Sequence, residues 1–438
     1  MNLFWKNLFG ALTPTTKLEK NEADLEKAMH RYAEVEKSVE LVEYKKLFHQ
    51  VKSAEFQENK KTLLNRKYKD TEEFKLSKSY NKLHHSLAVQ LYYKVLDSEL
   101  LLEYLNFKET PEYELLGDKK KVKASELLQK LKSFEKSKEY KTYARFHNSF
   151  IIKEYEELKL KIVSPEFKKS NEFWANEKRW QTTPEYILQQ RFYELEKNPD
   201  IIFYINEKPE RFAKYKSMKL TFQDEFDWNT LDKSHWNFGF HYKSGKLIED
   251  HSFANEKQAN NFGKNVSVVN GILKLETKHE KVTARAWHSE KGFIQKEFHY
   301  TSDVLQTAEK FKQKHGVFRA KIRCHGSVNH AFWLGADDKL PHVKIFHFDG
   351  KKINIGNANK NIFDGIKISG INLAKYYIYT LIWTEKELIW KINNLEVYRT
   401  ASNIPSQEMY LAFNSFITEK QHGTTGQIEV DWVRIYAN

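Results

Sequence analysis

The chain has 438 residues and a formal charge of +13, and 14% of its residues are aromatic. This length exceeds that of one ordinary domain and predicts two or three, and so many aromatic side chains exclude a mainly disordered chain. Because Cys324 is the only cysteine, an internal disulfide and a thiolate metal cluster are excluded as well. The positive charge favours an anionic partner, which could be a polysaccharide, a nucleic acid or an acidic protein surface.

Residues 1–16 form an apolar segment that Lys6 interrupts. Neither a basic start nor a small-residue cleavage site frames the apolar run, so it lacks the pattern of a signal peptide. It is typical of a short amphipathic segment that packs on the protein, the alternative being contact with a membrane or a partner. The expectation is synthesis in the cytoplasm, and no later stretch approaches the roughly 18 apolar residues of a membrane span.

Residues 17–214 have the three- and four-residue apolar spacing of short amphipathic helices. One phrase recurs, in which a Ser or Thr is followed by Glu two residues later and then by an aromatic residue. Its copies begin at Ser53, Thr71, Thr110, Ser137, Ser164 and Thr183. The hydroxyl can cap a helix, and the Glu complements the helix dipole. The pattern predicts a helical-repeat arm that docks a protein partner, self-associates or acts as a spacer. Its lysine runs are typical of solvated faces, so nucleic acid is a disfavoured partner.

The spacing changes to alternation near residues 212–217, and we place the domain boundary between 214 and 215. Hairpins are predicted at 266–276 around Asn270-Gly271 and at 388–398 around Asn393-Asn394. Trp383, Trp390 and Trp432 alternate with aliphatic residues and are interpreted as packing residues. About 220 residues of such short strands predict an all-β sandwich of two sheets over 215–438.

Several phrases of this domain carry a resemblance to a known family. They are LTFQDEFDWNTLDKSHW at 220–236, HGVFRA at 315–320 and AFWL at 331–334, with further similarity at 265–276, 379–398 and 429–436. In this order they resemble the laminarinase family of glycoside hydrolases, a concanavalin A-like group that also contains lichenases, agarases and carrageenases. The resemblance covers about 216–438. It implies a concanavalin A-like jelly roll for this half, so the fold expected for the chain is multidomain, with the helical-repeat region followed by that jelly roll.

The resemblance also implies a catalytic motif, Glu-x-Asp-x-x-Glu, just after AFWL. Its three acidic positions fall here on His342, Lys344 and His347, so the nucleophile, the tuning Asp and the acid/base are all replaced. A bulge would be needed to turn the last position onto the face of the first two. We therefore expect no glycosidase activity and no catalytic residues. The displaced acids that could rescue it are Asp337, Asp338 and Asp349. A metal held by His342 and His347 is disfavoured, because Lys344 lies between them.

The face that would bind substrate could still bind a glycan, including an anionic one. The resemblance places Trp287, Trp333 and Arg285 near that face, and His330 and Asn329 at the mouth of the strand that carries Trp333. Together with His342, Lys344 and His347 they are the predicted glycan-binding residues. Family members often hold a structural calcium ion through backbone oxygens and the Asp of the closing strand. The matching residues are Gly271 and Asp431, and no other cofactor is expected.

The leading hypothesis is a pseudoenzyme, a laminarinase-like protein that binds glycans or serves a structural role on a helical adaptor. A virion component of a phage is one form of this hypothesis. The first alternative is a glycoside hydrolase that acts on a polysaccharide through displaced acidic residues. The second is a purely structural assembly protein, and a nucleic-acid binder is the weakest.

Overall fold

The computed structural model describes residues 1–5, 9–242, 246–248, 251–338, 340–359, 362–422 and 425–437. Two compact units are present: one combines residues 1–32 with 208–438, and the other consists of residues 33–207. Within the described ranges, no helix combines the length and the apolar character that a bilayer crossing requires.

Helices make up the first half of the chain, as predicted. The α-helices found within the described residues are numbered α1–α14, and shorter 3₁₀ segments lie between some of them. Their bounds are Thr15–Glu36, Val39–Val51, Ala54–Asn65, Glu72–His84, Leu87–Leu96, Glu99–Lys108, Lys119–Ala124, Glu126–Glu135, Lys138–Phe146, Phe150–Val163, Pro165–Ala175, Pro184–Glu196, Pro199–Asn206 and Ala213–Lys216.

The recurring phrase does cap helices. In five of its six copies the hydroxyl accepts a hydrogen bond from the amide of the aromatic residue three positions later, as when Ser137 accepts from Tyr140 N at 3.0 Å. Thr110 is the exception, because it opens a 3₁₀ segment and its hydroxyl instead donates to Phe107 O. Four further helices begin after Ser38, Ser86, Ser125 and Ser149, which cap in the same way without the full phrase. The local sequence thus sets where these helices begin.

The helical unit buries two separate apolar clusters. One is formed by α5, α6, α8, α9 and α10 around Leu101, Tyr104 and Leu131, which are fully buried. The other joins α2, α3, α12 and α13 around Leu41 and Phe192. Burial of such side chains, at about 2 kcal/mol each, stabilises helices that are too short to persist alone.

Strands make up the second half. They are numbered β1–β20 in chain order. Their bounds are Lys219–Asp224, Asn237–Phe238, Phe240–Tyr242, Lys246–Ile248, His251–Phe253, Gln258–Asn260, Val266–Val269, Ile272–His288, Gly292–Ser302, Val304–Gln306, Gly316–Gly326, Asn329–Gly335, His342–Asp349, Ile353–Asn359, Ile362–Ile368, Tyr377–Trp383, Leu388–Ile392, Leu395–Thr400, Tyr410–Phe416 and Gly426–Ala437.

Eighteen of these strands form the predicted two-sheet sandwich, and β3 and β4 pair with each other. The larger sheet has eleven strands along the path β18-β17-β16-β11-β20-β8-β9-β6, with β1, β5 and β7 at its sides, and the smaller has seven in the order β15-β14-β13-β12-β19-β10-β2. Side chains of both sheets meet in one core that includes Phe318, Phe332, Phe413 and Trp383. We call the other side of the seven-stranded sheet its cavity face.

Both predicted hairpins are present. β7 and β8 join at Asn270 and Gly271, and β17 and β18 join at Asn393 and Asn394, all four with positive φ as their turns require. Trp383, Trp390 and Trp432 are buried, which confirms their interpretation as packing residues. Cys324 is buried too, and burial raises the pKa of its thiol well above the usual value.

The first 32 residues pack with the sandwich, although their sequence groups them with a terminal segment and the helical arm. Leu3 and Leu12 are 0% and 3% exposed and belong to the sandwich core. Leu18 on α1 packs on Ile378 and Trp432 of the eleven-stranded sheet. Composition does not reveal this arrangement, because the contacts join residues that lie more than 350 positions apart. Residues 6–8, in the middle of the predicted amphipathic segment, lie outside the described residues.

Candidate functional site

A bulge in β13 brings His342, Lys344 and His347 to one face. Phe332 of β12 pairs with Phe346 whereas the next residue, Trp333, pairs with Lys344, so that Ile345 is the extra residue. Ile345, Phe346 and Val343 enter the core. The three polar side chains therefore line the same cavity on the cavity face, as the motif of the resembling family would require.

This cavity has a volume of about 1020 Å³, which is large enough for an oligosaccharide segment. Its walls combine aromatic rings, imidazoles and a few charged groups. The aromatic residues are Phe240, Phe253, Trp287, Phe293, Trp333, Tyr410 and Phe416; the histidines are His241, His251, His288, His342 and His347; the charged residues are Glu256, Asp338, Lys344 and Glu419.

Trp333 and His342 form a rigid pair in the cavity wall. Their rings stack with centroids 4.8 Å apart and planes 13° from parallel. The indole Nε1 of Trp333 donates to Asn414 Oδ1 at 3.0 Å, which fixes the orientation of the ring. Because the two side chains are already held in one conformation, a ligand that contacts them loses little binding free energy in ordering them.

The imidazoles of His342 and His347 are neutral at physiological pH. Burial lowers the pKa of each to about 3, and the charge of Lys344 contributes in the same direction. His347 also lies 2.9 Å through Nε2 from Asn329 Oδ1. Burial likewise lowers the pKa of Lys344 from its usual value, with a second contribution from Lys367. The positions of three acids thus hold two uncharged rings and an amine.

This set differs in chemistry from the groups that the retaining hydrolysis of the resembling family uses. That reaction needs one carboxylate as nucleophile and a second carboxyl about 5 Å away as acid and base. A neutral imidazole exchanges protons but does not stabilise an oxocarbenium ion as a carboxylate does, and an ammonium would repel that cation.

The displaced acids that the sequence suggests have other partners or positions. Asp337 lies 3.0 Å from His241 Nε2 and also pairs with Lys312. Asp349 accepts from the amides of Lys351 and Lys352 in the turn after β13, at 3.0 and 2.8 Å. Asp338 alone among the three lines the cavity.

Glu256, between β5 and β6, is the acid that sequence reasoning missed. It lines the cavity, and burial raises the pKa of its carboxyl to about 7 against the opposing effects of Gln258 and Lys296. A half-buried carboxyl that holds a proton near neutral pH is a possible general acid. Its segment has neither a strand pattern nor a motif, so no local feature of the sequence could have indicated its position.

The structure separates the predicted glycan-binding residues into two groups. Trp287, which is 43% exposed, and Trp333 line the cavity. Arg285 does not line it, because its guanidinium lies over the ring of Phe293 at 3.8 Å. His330 is a correction to the prediction: it is 0% exposed and points into the core, where it contacts Ser415 Oγ and His325 O.

Asn329 is the other correction, since it is buried and acts on the cavity through His347 instead of lining it. The alternation along β12 explains the position of His330, whereas Asn329 lies on the cavity side beneath His347. Residues 331, 333 and 335 face the cavity, whereas 330, 332 and 334 face the core.

The predicted calcium ligands do not fit a calcium ion. The ammonium of Lys321 lies 2.6 Å from Asp431 Oδ2 and 2.9 Å from Glu19 Oε1, so a cation already neutralises these carboxylates. Gly271 lies in the β7–β8 turn with φ +74° and contributes no side chain. Calcium requires six to eight oxygen ligands, and the described residues contain no cluster of three or more His, Cys, Asp or Glu side chains suited to a metal.

The fold and the cavity together define a β-sandwich of two sheets with a cavity on its seven-stranded sheet. No model of a known protein family matches the chain. Its sequence is 26% identical over 270 residues to glucan endo-1,3-β-glucosidase A1 of Niallia circulans, a match that spans 50% of this chain and 38% of that protein. The chain thus spans well under half of the relative's length.

The chain is also similar to solved structures. The catalytic domain of an endo-1,3-β-glucanase (laminarinase) from Thermotoga petrophila is 18% identical, with 50% of this chain and 98% of that chain covered and a TM-score of 0.41. The laminarinase from Rhodothermus marinus is 20% identical, with 50% and 97% covered and a TM-score of 0.38. The C-terminal half of the chain matches laminarinase-type endo-1,3-β-glucanases in sequence and in fold.

Proposed function

We propose that the sandwich binds a glycan in the cavity of its seven-stranded sheet and does not hydrolyse it. The observation that carries this proposal is the cavity-facing set on β13, where a bulge brings His342, Lys344 and His347, rather than carboxylates, to one face. The match to an endo-1,3-β-glucosidase supports a glycan as the ligand.

The walls of the cavity suit sugar rings. Aromatic faces such as that of Trp333 pack on the apolar faces of a sugar, and the indole is already held in place by Asn414. Neutral imidazoles both donate and accept hydrogen bonds, so His342 and His347 can pair with hydroxyl groups. Binding of this kind needs no ionised group.

Titration calorimetry of the full chain with laminarihexaose tests this proposal, together with a reducing-end assay on the same sugar. We expect binding without release of new reducing ends. Trp333→Ala should weaken binding at least tenfold, since a stacked aromatic ring contributes about 1–2 kcal/mol. Trp228→Ala is the matched control, because Trp228 is exposed outside the cavity and its loss should leave binding unchanged. Absence of binding would refute the proposal.

Hydrolysis through Glu256 is the second candidate function. The raised pKa of its carboxyl lets Glu256 carry a proton at neutral pH, and Glu419 and Asp338 line the same cavity as possible partners. If the chain releases reducing ends and Glu256→Gln abolishes this release by two orders of magnitude or more, the enzyme hypothesis replaces the binding hypothesis. Asp349→Asn serves as the control, because the side chain of Asp349 is held in a turn.

A further inference from the structure

The cavity face continues beyond the cavity onto β14 and β15. Strand register places Ala358 beside His342 and Phe363 beside Ala358, so these three residues form one row across the sheet. The next row runs from Lys344 through Gly356 to Gly365. Residues paired directly across neighbouring strands share a face, so both rows extend the surface that lines the cavity.

Gly356 and Gly365 have no side chains, so they leave room on this surface for an aromatic ring. A Cβ atom on Gly365 would lie 2.7 Å from Phe363 Cζ, which shows that the ring of Phe363 rests against the glycine. Phe363 is nevertheless 48% exposed, on the edge strand β15 of the sheet. We call the surface formed by Lys344, Gly356, Phe363, Gly365 and Lys367 the shelf.

The shelf carries two amines that lack a partner of opposite charge. Lys344 Nζ lies 5.0 Å from the centroid of the Phe363 ring. Lys367 shares the same face, and its charge opposes that of Lys344 closely enough to contribute to the lowered pKa of the latter. Neither forms an ion pair with another described residue. Asp349 offsets part of this charge, but its oxygens already accept from two backbone amides and from Asn354.

We propose that the shelf binds an anionic group on a glycan, such as a sulfate, a phosphate or a carboxylate, while the sugar ring that carries it rests on Phe363. This inference rests on the proposed function, because the shelf adjoins the cavity and would hold the next residue of the same chain. An anion between Lys344 and Lys367 would relieve the repulsion between two like charges and accept charge-assisted hydrogen bonds from both. A neutral sugar would leave that repulsion in place.

The glycan predicted by this arrangement has an uncharged unit in the cavity and a charged substituent on the neighbouring unit. The neutral His342 and His347 contribute no ionic contacts in the cavity, and the acidic residues that line it would not attract an anion, so recognition of the anionic substituent is assigned to Lys344 and Lys367. Phe363 supplies the stacking surface that a sugar ring needs at that position.

Calorimetry of the full chain with laminarihexaose and with chemically sulfated laminarihexaose tests the proposal, since the two sugars share one backbone. We expect tighter binding of the sulfated sugar, with an advantage that shrinks as salt is raised. Lys367→Gln should weaken binding of the sulfated sugar about tenfold, because the lost contact is charge-assisted. It should leave the affinity for the neutral sugar unchanged. Phe363→Ala should weaken both sugars.

Lys386→Gln is the matched control, because Lys386 is exposed in the β16–β17 turn of the other sheet. It should change neither affinity. If wild-type protein binds both sugars equally, or if Lys367→Gln weakens both alike, the shelf proposal is wrong while the cavity proposal stands. If neither sugar binds, both proposals fall.

Discussion

On the outward side of the eleven-stranded sheet, Arg319 and Lys321 are held by Glu22, Glu19 and Asp431, all within 3.0 Å. On the cavity face of the other sheet, Lys344 and Lys367 have no such partners among the described residues. The outward groups meet one another because α1 packs there, so their charges are satisfied within the protein. Lys344 is half-buried and unpaired, which costs stability unless a ligand compensates for it, whereas Lys367 is exposed.

The largest expected effect is a loss of folding stability at low pH, and it tests the buried groups of the seven-stranded sheet. Burial lowers the pKa of His342 and His347 to about 3 and that of His330 to about 4, whereas the unfolded chain binds these protons near pH 6.5. Because the folded pKa values are depressed, stability is present above pH 6.5 and is lost as the pH falls toward 4. Each histidine should contribute a loss of about 1.4 kcal/mol per pH unit, partly offset by Glu256, whose raised pKa of about 7 adds stability as the pH falls below that value.

Urea unfolding at pH 7.5 and 5.5 measures this loss. The double variant His342→Phe/His347→Phe keeps two rings in the cavity wall and should roughly halve the loss or better, whereas His299→Gln, at an exposed position, should not change it. An acid sensitivity that the double variant leaves intact would mean that the two cavity histidines are not its source.

The second prediction concerns the ion pairs on the outward side of the eleven-stranded sheet. Glu22→Ala removes both hydrogen bonds of the Arg319 guanidinium, which is only 9% exposed, and leaves a buried charge without a partner. The free energy of unfolding should fall by about 3 kcal/mol. Glu58→Ala in the helical unit is the control, because the Glu58–Lys61 pair is 4.0 Å long and exposed. Loss of this pair should lower the free energy of unfolding by less than about 0.5 kcal/mol. If both variants lowered the free energy of unfolding equally, the Arg319 pair would be no more important than an exposed one.

The smallest expected effect is that of calcium. Because the Lys321 ammonium already neutralises Asp431 and Glu19, neither a chelator nor added calcium should shift the melting temperature. Lys321→Met should lower it, since two carboxylates would then face each other without a cation. A chelator-induced drop in the melting temperature of the wild-type protein would show that the ion is bound after all.

Much of the local structure was predictable. Five of the six recurring phrases cap helices and both Asn-containing hairpins form, because each depends on a hydroxyl, an amide or a positive φ within a few residues. The residues that stand at 342, 344 and 347 are visible in the sequence alone, since the motif with which the resemblance aligns them is contiguous. These features are properties of short segments.

The remaining features depend on contacts between distant residues. Glu256 reaches the cavity through a bridge to Thr418, and His330 enters the core through the alternation that its neighbours on β12 impose. Residues 1–32 join the sandwich because Leu3, Leu12 and Leu18 are buried against strands far along the chain. By itself the sequence determined which chemical groups β13 offers and where the helices begin. Only the tertiary structure decided which charges find partners, because electrostatic compensation depends on distance in space and not on separation along the chain.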